Sequence, residues 1–292
     1  MKNKLLPLAA LVLPLALALT LLAGCAQPAG SLPTTTPTAD PTPEAEEAVA
    51  RCRIVDGAGE STMLLAEENG SIRRLGAGTE ELAVTVDGAP AAMEDLRDGM
   101  WVEVHFSGMI QESYPGGYYR PTALAATTEG LDDRCGLWLQ VLEDLWAVDS
   151  GLNEGLAQVG MDLSGVPDLT ESERAGIAWR FGEIHGVPVV EGTLEELWQE
   201  GYFTPMTEPA EGYPDSLALY SWEDGVHFSI DVDEEAVWSL PSVGEGEELP
   251  VLLAFDAQKW RSGLGAYFFS DCVARRGSDG VWTYTVGAEA IS

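Results

Sequence analysis

Between residues 51 and 128, apolar and polar positions alternate in short runs separated by turn residues. In Trp101–Phe106, Val102, Val104 and Phe106 share one face while Glu103 and His105 share the other, the period-two pattern of a half-buried strand. Strands are likewise predicted at Cys52–Val55, Thr62–Ala66, Ile72–Leu75, Leu82–Val86 and Thr122–Ala126. Asp56-Gly57, Asn69-Gly70 and Asp87-Gly88 supply turns that tolerate positive φ, and Pro90–Arg97 reads as one helical turn.

From residue 129 the period lengthens. Leu137, Val141, Leu145 and Val148 form a single apolar helical stripe. Thr170-Glu171-Ser172-Glu173 is a capping box, opening a helix with Ile177, Phe181 and Ile184 on one face and Gly186 as its stop. A second box, Thr193-Leu194-Glu195-Glu196, opens a short helix ending at Gly201. Strands are predicted at 159–163, 217–222, 226–232, 250–256, 266–275 and 281–286, with Ser278-Asp279-Gly280 as the last hairpin turn. Helices first and an antiparallel meander afterwards predict an α+β fold with helices packed on one face of an antiparallel sheet. The expected organisation is therefore a small β-barrel domain over 51–128 and an acidic α+β domain over 129–292.

The N-terminus carries an address rather than a fold. Lys2 and Lys4 precede an apolar run from Leu5 to Leu22, followed by Leu22-Ala23-Gly24-Cys25. That tetrapeptide resembles the lipobox of bacterial lipoproteins. The resemblance implies a signal peptide over 1–24, cleavage before Cys25 and lipidation of the Cys25 thiol, placing the protein on the outer face of the membrane. Pro14 in mid-run argues against a transmembrane anchor. Residues 25–50, rich in Pro and Thr, read as a tether, either a spacer across the cell wall or a passive linker.

Two further resemblances concern the folded body. Val86-Asp87-Gly88-Ala89-Pro90 with Asp95-Leu96-Arg97-Asp98-Gly99-Met100-Trp101 resembles small barrel-like domains of Gram-positive lipoproteins, similar in strand order to oligonucleotide/oligosaccharide-binding (OB-like) folds. This implies a five-stranded, partly open barrel. The segments from Leu169 to Val187 and from Lys259 to Phe269 resemble an uncharacterised C-terminal domain of the same lipoproteins. Neither resemblance implies a chemistry, cofactor or substrate.

Charge narrows the partners. The chain carries a net charge of −33, of which −25 falls on residues 129–292. A basic stripe able to displace phosphate counterions is absent, so nucleic acid is excluded as a partner. No nucleophile elbow, P-loop or dinucleotide fingerprint occurs. His105, His185 and His227 are isolated, and no C-x-x-C is present, so neither a metal centre nor a cofactor is expected. The acidic runs Asp231–Glu235 and Glu245–Glu248 read as solvated loops or weak calcium ligands. Cys52, Cys135 and Cys272 are either reduced and buried or include one disulfide, for which Cys135–Cys272 is the favoured pair.

Two clusters remain as candidate contacts. Lys259 is the only lysine after residue 4, and it lies beside Trp260 and Arg261 in the acidic half. It either pairs internally with carboxylates or, with its two neighbours, receives an anionic ligand. Tyr118, Tyr119 and Arg120 follow Tyr114-Pro115-Gly116-Gly117 and read as a binding loop or as a hairpin folded over the barrel end. The function expected is a membrane-anchored, monomeric, non-enzymatic module that binds a peptide, wall fragment or protein. The alternative is a cell-envelope hydrolase using a carboxylate pair in the second domain.

Overall fold

The computed structural model describes residues 47–60, 62–76, 82–207, 216–233 and 251–292. Cys25, the signal peptide, almost all of the tether, Glu234, Glu235 and Glu245–Glu248 lie outside the described residues. Residues 45–292 form one compact unit.

The first sheet holds β1 (Ala48–Asp56), β2 (Met63–Glu67), β3 (Ile72–Leu75), β4 (Ala83–Val86), β5 (Ala89–Ala91), β6 (Trp101–Phe106), β7 (Gly116–Gly117) and β8 (Ala123–Thr127). Its order is β5-β4-β8-β6-β1-β2-β3-β7. One face gathers Ile54, Leu65, Val102, Val104, Phe106 and Leu124 into a core of its own. The other face presents Val55, Leu64 and Ala66 to a second, larger core. Burial on both faces is why β2 reads as an unbroken run, with all five residues buried.

Next in the chain come α1 (Arg134–Ala147), β9 (Gln158–Gly165), α2 (Glu171–His185), β10 (Val189–Glu191), α3 (Leu194–Gln199), β11 (Thr204–Pro205) and β12 (Tyr220–Ser221). They are followed by β13 (Gly225–Asp233), β14 (Leu252–Ser262), β15 (Gly265–Arg276), β16 (Trp282–Thr285) and β17 (Ala288–Ile291). Nine strands form the second sheet, ordered β10-β9-β13-β14-β12-β11, with β15 on β14 and both β16 and β17 on β15. The β10-β9-β13 portion is parallel, and the remaining pairs are antiparallel.

Two expectations are overturned. The first sheet is not a five-stranded OB-like barrel but an open path of eight strands, with no pairing between its end strands β5 and β7 among the described residues. The C-terminal half is not an α+β layer of helices on an antiparallel sheet: two large sheets dominate, and its sheet is mixed. The physical reason lies in the second apolar face of the first sheet. Val55, Leu64 and Ala66 join Leu137, Val141, Leu142, Ile177 and Phe181 in one core with Val226 and Phe228. Helices α1 and α2 are thus filling between two sheets, and each sheet buries a face that period alone had assigned to a separate domain.

Local signals hold at the helix ends. Thr170 accepts from the Glu173 amide while the Glu173 carboxylate accepts from Thr170 N–H, and Gly186 ends α2 in the left-handed region at φ 66°. Thr193 and Glu196 repeat the box on α3. Ile177 and Phe181 are buried as expected, but Ile184 is 47% exposed. Polar anchors fix α2 to the first sheet. Ser172 Oγ donates to Glu67 O at 2.7 Å, and Arg53 Nε lies 2.8 Å from Glu173 Oε1. A buried pair of this kind specifies orientation more than it adds stability.

Candidate functional site

Lys259 is fully buried, and its ammonium points at the end of α1. It donates to the carbonyls of Val148, Trp146 (3.5 Å) and Asp149 (3.3 Å), and to Asn153 Oδ1 (3.3 Å). Burial pulls the Lys259 pKa down to about 8, partly opposed by the charge of Asp149. Arg261 does similar work one turn on, donating to the carbonyls of Leu152 (2.9 Å), Glu154 (2.7 Å) and Glu223 (2.6 Å). Trp260 is buried against Phe203, ring centroids 4.9 Å apart. Of the two readings of this cluster, the internal one matches the geometry, but with carbonyls and an amide oxygen rather than carboxylates as partners. Lys259 satisfies carbonyls at the C-terminus of α1, Arg261 ties loop carbonyls together, and no carboxylate lies within ion-pair distance of Lys259 among the described residues.

The tyrosine loop is split between inside and outside. Gly116-Gly117 runs parallel to β3, and the loop closes tightly on itself. A Cβ on Gly116 would meet the Ile110 side chain at 2.9 Å, and one on Gly117 would meet Gln111 at 2.8 Å. This turn pulls Tyr118 into the core of the first sheet, where its hydroxyl donates to Glu67 Oε1 at 2.7 Å and lies 3.1 Å from Cys52 Sγ. Glu67 is held in turn by Arg73 at 3.1 Å. Tyr118 is thus a core residue, 5% exposed, that shows only an edge to the neighbouring cleft. Tyr119 and Arg120 remain at the surface as a cation–π pair, 5.3 Å apart. Tyr114, at the loop tip, is 72% exposed.

Tyr114 opens a site that the sequence reading did not assemble. Three adjoining clefts, of about 340, 400 and 180 Å³, run between this loop, the end of β3 and the outer face of α2. Tyr114 lines the first and second, Trp179 and Glu183 the second and third, and Arg74 the first and third. Together they make one groove. The Arg74 guanidinium sits 5.1 Å from the Trp179 ring centroid and 3.4 Å from Glu183 Oε1, so cation and ring are held in register. Ala175, Ala178 and Gly182 lay a shallow floor beside Trp179. Small residues every three or four positions next to a tryptophan on one helix were the available sequence signal; Trp179 is half-buried, packed on the core. Desolvation and the charge of Glu191 push the Tyr114 phenol up.

Other ionisable groups are structural. Asp133 caps α1 by accepting from Gly136 N–H at 3.1 Å; burial, then the charge of Asp98, carry it up to about 7. Asp98 is raised too, chiefly by burial, and accepts from Ala58 N–H. Neither carboxylate lines the clefts described above. His185 stacks on Trp146 at 3.9 Å and meets Glu143 at 2.9 Å. His227 is buried with Nε2 on Gly192 O at 2.9 Å, and burial lowers its pKa. Cys52, Cys135 and Cys272 are free and buried, so the Cys135–Cys272 bridge does not form. Burial pushes Cys52 up to about 12 and Cys272 up to about 11. No group of three or more His, Cys, Asp or Glu able to hold a metal occurs among the described residues.

Among the described residues, no helix is long and apolar enough to cross a membrane. Compared with known proteins, the chain matches no family profile, no curated protein and no solved structure.

Proposed function

We propose that this chain is a lipoprotein held at the outer face of the membrane through Cys25, and that its body is a non-enzymatic module binding an extended ligand in the groove between the 110–121 loop and α2. The observation that carries the binding role is the Tyr114–Arg74–Trp179 arrangement: an exposed phenol and a cation-backed indole beside a shallow channel. Flat amphipathic rings offer contact area at little entropic cost, which suits a ligand laid along a surface. The lipobox supports the anchor, and the Pro/Thr-rich tether supports display of the body away from the bilayer.

Two experiments test this. The Cys25→Ala variant, expressed with a clickable fatty-acid probe, is expected to remain unlabelled and unprocessed; labelling equal to wild type would overturn the anchor. For the groove, the full chain in detergent is applied to arrays of peptides and glycans, and each hit is re-measured with Tyr114→Ala and Trp179→Ala. A loss of at least about tenfold in both variants is expected, as for central aromatic contacts. Hits indifferent to both substitutions would overturn the groove as the site.

A further inference from the structure

One edge of the second sheet opens into this groove. In the parallel pair β10–β9, Val159 N–H bonds Pro188 O and Gly192 N–H bonds Met161 O, with Val190 opposite Gly160 between them. Residues 188, 190 and 192 therefore turn their backbone groups toward β9. By the two-residue period, Val189 and Glu191 turn theirs away. Among the described residues, strand β10 ends the sheet and pairs only with β9. An unpaired row of N–H and C=O groups is a template for another strand.

The surroundings of this edge are shaped and charged. Val189 and Glu191 line the cleft of about 400 Å³ beside Trp179 and Tyr114, whereas Val190 does not. A further cleft of about 350 Å³ shares Ala178 and Glu191 with it and adds Asp162 and Glu196. The cation here, Arg174, is turned inward to Leu169 O at 2.8 Å. Glu183 already faces Arg74 and Arg180. Glu191 has no hydrogen-bond or ion-pair partner among the described residues, and it sits between both clefts. Desolvation and the charge of Glu171 raise its pKa, opposed by Arg174; with Asp162 and Glu196 in the same cleft, three carboxylates outnumber that one cation.

We infer that the ligand of the groove is a basic, extended peptide segment that adds as a strand to the outer edge of β10, pairing with the backbone of Val189 and Glu191 and placing a Lys or Arg against Glu191. The inference rests on the groove reading and names its ligand class. Main-chain pairing supplies affinity in such an arrangement, and the pockets for alternate side chains supply selectivity.

The probe is a fluorescein-labelled, C-amidated octapeptide of alternating valine and lysine, titrated by anisotropy against the full chain in detergent. Its valine–glutamate counterpart and a copy N-methylated on alternate residues serve as comparisons. The lysine peptide is expected to bind at least about tenfold more tightly than either. Val189→Pro deletes one outward N–H at an edge where proline is tolerated, and it is expected to weaken the lysine peptide by a similar factor. Glu191→Gln is expected to reduce the lysine-over-glutamate preference. If Trp179→Ala abolishes binding while Val189→Pro and N-methylation leave it unchanged, strand addition is refuted and the groove reading stands. If only glycans bind, in a Trp179-dependent way, the peptide class is refuted and the groove again stands. If the lysine peptide binds regardless of both Trp179 and Val189, both are refuted.

Discussion

Replacing Asp133 by Asn isolates the charge at the N-terminus of α1. The carboxyl is carried from an ordinary value of 3.8 to about 7 by burial and by the neighbouring charge of Asp98, against the opposing bond from Gly136 N–H. Asp132, Asp56 and Asp98 are the other charges bearing on it. Between those two values the folded chain holds a proton that the unfolded chain has released, so stability falls as pH rises from about 4 to about 7 and is flat above. The cost of the ionised form at pH 8 has a ceiling of about 4 kcal/mol, taking 1.36 kcal/mol per pH unit. Asp133 is partly exposed, and water screening brings the expectation to about 1–2 kcal/mol. Asn caps a helix as well as Asp does, so Asp133→Asn keeps the Gly136 bond and discards the charge. Urea unfolding followed by tryptophan fluorescence at pH 8 is expected to show the variant more stable by that amount, about 3–6 °C in melting temperature. At pH 3, below both values, the two proteins are expected to unfold together. A variant less stable than wild type at pH 8, or an equal gap at both pH values, would refute the assignment.

The remaining predictions concern single contacts. Lys259→Met is expected to destabilise the fold by about 3 kcal/mol or more, because the carbonyls of Val148 and Asp149 lose their buried donor; equilibrium denaturation measures it. In wild type, the Lys259 pKa of about 8 against an ordinary 10.5 means the unfolded chain binds the extra proton between those values, so this residue's contribution rises as pH climbs from 8 to 10.5; Lys259→Met is expected to lose that rise. Thr170→Ala removes the cap of α2 and is expected to cost about 1 kcal/mol by denaturant midpoint. Cys52, Cys135 and Cys272, buried and with raised pKa, are expected to react with a maleimide only in denaturant; intact mass reads the number modified.

The elements with one exposed face were legible in the sequence. Trp101–Phe106 alternates and forms β6 over those same residues, and the capping boxes at Thr170 and Thr193 form as read. The class of fold was not legible, because it turns on residues buried from both sides. Met63–Glu67 carries no alternation, so nothing in its pattern says that Leu64 and Ala66 meet helices while Met63 and Leu65 face a core of their own. The site followed the same rule. A lone lysine in an acidic half invites a ligand, yet its acceptors are carbonyls some 110 residues away, which no side-chain motif announces. In the loop, Tyr114 and Tyr118 are chemically alike, and the tight Gly116-Gly117 passage between them separates a surface Tyr114 from a core Tyr118 held by Glu67 and Cys52. Arg74 and Trp179 come from distant segments, and their stacking depends on how α2 lies against β3.

The burial of Lys259 also governs what reagents can reach this protein. With Lys2 and Lys4 ahead of Cys25, it is the only amine-bearing side chain in the rest of the chain, and it has no solvent-exposed surface. The folded body is therefore silent to succinimidyl esters, aldehydes and other amine-directed couplers, and trypsin has only arginines to cut at until unfolding frees that residue. Its surface is open instead to carbodiimide chemistry through its many carboxylates. Coupling by carboxyl activation is the route that would report neighbours of this protein in place, and acylation of Lys259 would serve as a covalent clock for opening of the sheet beneath α1.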